Sequence, residues 1–69
     1  MEITIYRNKR NENKYLEVHN DGYYHNSVRQ YISTNNLHKP QYTGDGSLHR
    51  WRKENLTELL KDYVEVRKL

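Results

Sequence analysis

Two segments, Lys14-Tyr-Leu-Glu-Val-His19 and Ser27-Val-Arg-Gln-Tyr-Ile-Ser33, alternate apolar and polar side chains on either side of Asn20-Asp21-Gly22. Alternation with a period of two marks half-buried strands and Asn-Asp-Gly marks a tight turn, so the pair predicts a β-hairpin. Its register follows from which side chains must share a face. A two-residue loop at Asp21-Gly22 would pair Val18 with His25 and turn Val28 and Ile32 outward. A three-residue loop pairs His19 with Tyr23 and Val18 with Tyr24, and sets Val28 and Ile32 beside Leu16 and Val18. A one-residue slip reverses every side chain, so the second register is predicted. Gly22 would then occupy the left-handed position that closes such a loop.

Glu2-Ile-Thr-Ile-Tyr-Arg7 alternates too, with Ile3 and Ile5 on one face, and the polar Asn8-Lys-Arg-Asn-Glu-Asn13 reads as the loop after it. The three strands make an antiparallel meander. Leu56, Leu59, Leu60 and Tyr63 then fall at i, i+3, i+4 and i+7, the apolar stripe of an amphipathic helix. Asn55 with Glu58 three residues on resembles a capping box, while Lys53-Glu54 offers an earlier first turn. Val64-Glu-Val-Arg67 returns to alternation and predicts a short final strand over about 64–68. Pro40 keeps residues 34–40 out of any central strand. Gln41-Tyr-Thr43 and Ser47-Leu-His49 either flank an extra short hairpin at Gly44-Asp-Gly46 or belong to one long surface loop. The expected fold is a single α+β domain over residues 1–69, a three-stranded antiparallel meander packed by one C-terminal helix. Its expected core is Ile3, Ile5, Leu16, Val18, Val28, Ile32, Trp51, Leu56, Leu59, Leu60, Tyr63 and Val66.

That core is thin. The chain has 69 residues, 33% of them hydrophobic, and seven of those are tyrosines with polar tips. Cysteine is absent, which excludes disulfides and thiolate metal sites, so packing alone must stabilise the fold. Loss of Leu59 or Leu60 is expected to unfold it. No apolar run approaches the roughly 20 residues that cross a bilayer, and no basic segment leads into an apolar one. A cytoplasmic protein without membrane association is expected, monomeric or weakly homodimeric through an exposed edge strand.

Candidate chemistry divides into what fails and what remains. His19, Asp21 and His25 lie within seven positions, but only the two histidines share a face and Asp21 belongs to the turn. No third ligand has a helix-fixed spacing, so no metal site is predicted. His-Asn occurs at 19–20 and 25–26, yet a strand follows where an HNH nuclease needs its helix. There is no nucleophile elbow, P-loop or G-x-G-x-x-G, and no paired carboxylates stand at a cleft. No catalytic residue, cofactor or enzymatic activity is expected.

What remains is a polar aromatic sheet face and a basic cluster. Tyr15, His19, Tyr23, His25, Arg29 and Tyr31 project from the outer face in the predicted register. Aromatics interleaved with a base can stack on nucleobases or pack against a protein, or can simply pair across strands or lie under residues 34–50. Residues 31–53 hold four Lys/Arg against one acid, in a chain of net charge +3. His49-Arg-Trp-Arg-Lys53 is the densest part; it can bind phosphates, or Trp51 can anchor the helix while the arginines reach solvent. Arg7-Asn-Lys-Arg10 adds charge at one end of the meander. The candidate binding residues are therefore Tyr15, Tyr23, Arg29, Tyr31, Arg50, Arg52 and Lys53. DNA or RNA is the favoured ligand, and a host protein bound by an inhibitor or adaptor is the alternative.

Ile5-Tyr-Arg-Asn-Lys-Arg-Asn11, Lys14-Tyr-Leu-Glu-Val-His19, Val28-Arg-Gln-Tyr31 and Leu56-Thr-Glu-Leu-Leu-Lys-Asp-Tyr63 span most of the chain. In these runs it resembles small uncharacterised proteins of Gram-positive phages, prophages and other mobile elements. The resemblance implies a mobile-element setting and no particular activity, so no residue role is carried over. As a fold, sheet followed by helix is similar to the arm-site-binding domains of tyrosine integrases, which lay a three-stranded sheet in the DNA major groove. The chain lacks their dense arginine content.

Overall fold

The computed structural model describes residues 2–32, 41–42 and 47–69, with main chain alone at 41–42. Strands β1 (Glu2–Asn8), β2 (Lys14–Asn20) and β3 (His25–Ile32) form the meander that the alternation predicts. Three further strands, β4 (Gln41–Tyr42), β5 (His49–Arg52) and β6 (Tyr63–Lys68), join the same antiparallel sheet. β6 lies outside β1, and β4 and β5 lie end to end along the far edge of β3. Helix α1 (Lys53–Leu59) runs into a 3₁₀ turn at Leu60–Asp62 and connects the two edges. Neither alternative for residues 41–49, an extra hairpin or one long surface loop, describes this: the two flanks pair with opposite ends of β3, among the described residues, and not with each other. Gly44-Asp-Gly46 lies outside the described residues.

Loop geometry is set by asparagine. The Asn8 Oδ1 accepts the backbone N–H groups of Arg10 and Asn11, and the Asn11 side chain accepts that of Asn13. Such side-chain mimicry of a turn is the reason asparagine-rich stretches leave a strand cleanly. Lys9 then donates to the carbonyls of Asp62 and Lys61, which fastens this loop to the end of the helical segment.

The β2–β3 register pairs Val18 with Val28 and His19 with Ser27. The predicted pairing of His19 with Tyr23 is thus displaced by four positions, an even number, so the faces survive although the partners change. Tyr23 and Tyr24 fall into a longer loop. The Asp21 carboxylate holds that loop, accepting the Ser27 hydroxyl at 2.5 Å and the Ser27 N–H at 3.2 Å. Gly22 does not adopt a left-handed φ; a Cβ there would stand 2.6 Å from the His25 carbonyl oxygen. Close approach, not positive φ, is what requires glycine here.

β1 pairs Thr4 with Val18 and Tyr6 with Leu16, which puts Ile3 and Ile5 on the opposite face, against His19 and Glu17. Both isoleucines were expected in the core; Ile5 is indeed buried, though on this outer face, and Ile3 is half-buried beside it. Ile-Thr-Ile-Tyr can bury either parity, and the Tyr6 ring, packed against the helix side, decides it. The core cluster is Leu16, Val18, Val28, Leu56 and Tyr63, with Tyr6, Trp51, Leu59 and Leu60 half-buried against it. Two other expected core residues are exposed, unlike Ile5. Ile32 sits at the last pair of β3, opposite Lys14 and Gln41, and Val66 is the extra residue of a bulge in β6.

The helix begins at Lys53, whose N–H donates to the Tyr24 carbonyl at 3.0 Å. Its N-cap, Arg52, makes no side-chain cap, so Asn55 and Glu58 do not form the capping box; Glu58 instead pairs with Lys61 at 3.0 Å. Tyr63 completes the apolar stripe from the first position of β6, not from the helix. Leu56 is the buried residue of α1. Leu56→Ala is therefore expected to destabilise the protein by about 2–5 kcal/mol, more than Leu59→Ala, whereas Val66→Ala should cost under about 1 kcal/mol. Urea unfolding followed by circular dichroism checks the order, and an Ala at 66 more damaging than one at 56 would refute it.

Candidate functional site

Cross-strand pairing arranges the face opposite the helix in rows. One row runs Arg67, Ile5, Glu17, Arg29 from β6 to β3; the next runs Ile3, His19, Ser27, Arg50 from β1 to β5. Arg7, Tyr15 and Tyr31 form a third, and His25 with Arg52 a fourth. Directly opposed residues share a face, so Arg7, Arg29, Arg50, Arg52 and Arg67 all stand on this side of the sheet. They are five of the six arginines in the chain, the sixth being Arg10 in a loop. Among the described strand residues, Glu17 is the acid on this face. The helix side instead balances Glu2 and Glu65 against Lys14 and Lys68.

The centre of the face is closed and its margin is open. Ile5, Glu17, His19, Ser27 and Tyr31 are buried, while Arg7, Arg50, Arg52 and Arg67 are exposed. Glu17 Oε2 accepts hydrogen bonds from His19 Nε2 and Arg29 Nε, each at 2.6 Å. Burial is the largest single influence on this carboxyl and favours its protonated form. The two hydrogen bonds and the neighbouring charges act the other way and together outweigh it, so its pKa lies below the ordinary glutamate value. Tyr15 and Tyr31 stack across β2 and β3 with ring centroids 5.2 Å apart and planes within 6°. His19, expected to project from the outer face, is on that face but buried, hydrogen-bonded to the carboxylate that also takes Arg29.

At the β2–β3 loop the aromatic surface is open. Tyr23 and Tyr24 are 83% and 73% exposed and meet edge to face, with centroids 4.6 Å apart. With His25, Arg52, Lys53 and Glu54 they line a cleft of about 590 Å³. Arg52 contacts Glu54 at 3.3 Å with both side chains mostly exposed, a pairing worth at most about 1 kcal/mol and easily exchanged for a ligand. The same loop depends on Asp21, whose carboxyl is held below its ordinary pKa chiefly by the Ser27 hydroxyl.

The seven candidate residues therefore separate. Tyr15, Arg29 and Tyr31 come together in the centre of the face, where Tyr31 is buried and Tyr15 and Arg29 are half-buried. Tyr23, Arg52 and Lys53 come together at the loop cleft, and Arg50 stands one pair along β5 from Arg52 on the open margin. Tyr24, Arg67 and Glu17 are not among the candidates that the sequence offers, and Arg7 enters there only as charge at one end of the meander. The available signal for Glu17 was Arg29 and His19 on the same face; for Arg7 it was masked by turning Ile5 inward.

Comparison with family models, curated proteins and solved structures finds no match to this chain. Among the described residues, no group of three His, Asp or Glu side chains is arranged to hold a metal ion, and no helix is long and apolar enough to cross a membrane.

The Glu17 shift fixes a sign for acid behaviour. A carboxyl whose pKa is depressed by folding stabilises the folded state above its unfolded pKa, about 4.3, and loses that contribution as pH falls through the lower folded value. Glu17→Gln should therefore unfold at lower urea than the parent near neutral pH. The gap should close as the pH falls below about 4. A gap that stays constant into acid would show that the Glu17 charge is not what holds His19 and Arg29.

Proposed function

We propose that this chain is a small, non-enzymatic nucleic-acid-binding module that uses the arginine margin of the outer sheet face and the adjoining Tyr23–Tyr24 loop. The reading is supported above all by the gathering of Arg7, Arg29, Arg50, Arg52 and Arg67 on one face, with Glu17 as its acid among the described strand residues. A modest net charge of +3 becomes a one-sided field when sorted in this way. Arginine also suits the ligand: its planar fork pairs with phosphate oxygens in two directions and stacks on bases. The mobile-element setting implied by the sequence resemblance is compatible with such a role and adds no residue to it.

Edge-to-edge dimerisation is disfavoured in this reading. β6 carries a bulge together with Glu65, Arg67 and Lys68, and β5 carries Arg50 and Arg52. Charges and bulges on edge strands oppose pairing with another copy, so a monomer is the proposed working form.

With four exposed arginines at the margin, affinity for nucleic acid should fall with salt at a log–log slope of roughly 3–4 in magnitude. Arg50→Ala and Arg67→Ala should each flatten it by about one. The measurement is a salt titration of binding to short single- and double-stranded oligonucleotides. Failure to bind either at low salt, or binding indifferent to salt, would remove the proposal. A protein partner is the second reading, favoured by the exposed Tyr23–Tyr24 pair, since tyrosine commonly anchors protein interfaces. Such binding would survive the arginine substitutions and be lost with Tyr24→Ala.

A further inference from the structure

Two features separate the nucleic acids that such a surface could take. The first is width. Five strands stand abreast from β5 through β3, β2 and β1 to β6, and at about 4.8 Å per step the sheet measures roughly 19 Å across. The major groove of B-form DNA is about 12 Å wide and admits a helix or a two-stranded ribbon. This sheet cannot enter it broadside, so the arginine margin cannot bring the face onto base edges of a duplex.

The second is the exposed aromatic pair. A duplex hides the faces of its bases, whereas a single strand offers them for stacking. The central tyrosines are already stacked on each other, and Tyr31 is buried. Among the described residues Tyr23 and Tyr24 are the open rings, and their edge-to-face contact leaves a ring face free beside Arg52 and Lys53. Arg50 and Arg52 are two residues apart on one strand face, about 6.6–6.8 Å along the chain, a spacing suited to successive phosphates of an extended strand.

We infer that the ligand is single-stranded nucleic acid, with a base stacked in the Tyr23–Tyr24 cleft and the adjoining phosphates on Arg52 and Arg50. This rests on the nucleic-acid reading above and goes further by choosing the strand state. Both tyrosines are largely exposed, and the Lys53 N–H bonds only the Tyr24 main chain, so truncating the rings leaves the fold intact.

The experiment is fluorescence anisotropy of the full chain with labelled oligothymidylate, oligouridylate and a mixed-sequence duplex of equal nucleotide count, at low salt. At least one single strand should bind about tenfold or more tighter than the duplex. A Tyr23→Ala/Tyr24→Ala double variant should weaken single-strand binding by about 5- to 100-fold and leave duplex binding within about twofold. Duplex binding as tight as either single strand, or a double variant with unchanged single-strand affinity, overturns the inference while leaving nucleic-acid binding in place. Absence of binding to all three probes overturns both. Circular dichroism of the double variant confirms that any loss is not unfolding.

Discussion

The pairing of β2 with β3, Val18 opposite Val28, decides most of what this molecule is. Strand side chains alternate, so one pair fixes the parity of every residue across the sheet. It sends Leu16, Val18 and Val28 under the helix and Glu17, His19 and Arg29 to the other side. Asp21 holds that pairing at the loop through Ser27, and Gly22 permits the close approach of His25 that the loop requires. The same clamp expels Tyr23 and Tyr24 from the strands and leaves their rings in solvent.

A consequence of that parity is a sheet with two unlike faces. One is apolar and takes the short helix, with Leu56 as its deepest contact. The other buries a carboxylate, which is costly unless hydrogen-bonded and paired. Glu17 meets both conditions through His19 and Arg29. The arginines of the other strands have no acid as their direct cross-strand partner among the described residues, and they stand exposed at the margin. Structural polarity at the centre and open positive charge at the edge thus come from one register. The functional proposal depends on the edge, and the stability of the face depends on the centre.

Much of this was legible in the sequence, but not all of it. The meander, the helix stripe and the final strand follow from periods of two and of 3.6. Alternation specifies parity and leaves even shifts undetermined, which is why Val18 was matched with Tyr24 and not Val28. Ile5 is buried as expected, but it and the half-buried Ile3 lie on the face away from the helix, because Ile-Thr-Ile-Tyr has an apolar residue available on either face and the choice belongs to Tyr6 and the packing behind it. The ends of β4 and β5 could not be read as partners of β3, since two short segments carry little pattern of their own. Among the candidate site residues, Arg52 and Lys53 come from the basic run at 49–53 and Tyr23 from the predicted register, and the fold gathers the three at one cleft. Arg67 was not a candidate, and Arg7 was noted only as loop-end charge, because their membership of the face exists only once β1 and β6 are in register.

The most direct test of the arginine face is an NMR titration that follows the side-chain Nε–Hε signals of the arginines as nucleic acid is added. Arg7, Arg50, Arg52 and Arg67 should shift together with the amides of residues 23–25, while the helix side, marked by Lys14 and Lys68, stays still. Shifts confined to the helix side, or an arginine set that does not move together, would contradict the claim that this face is the binding surface.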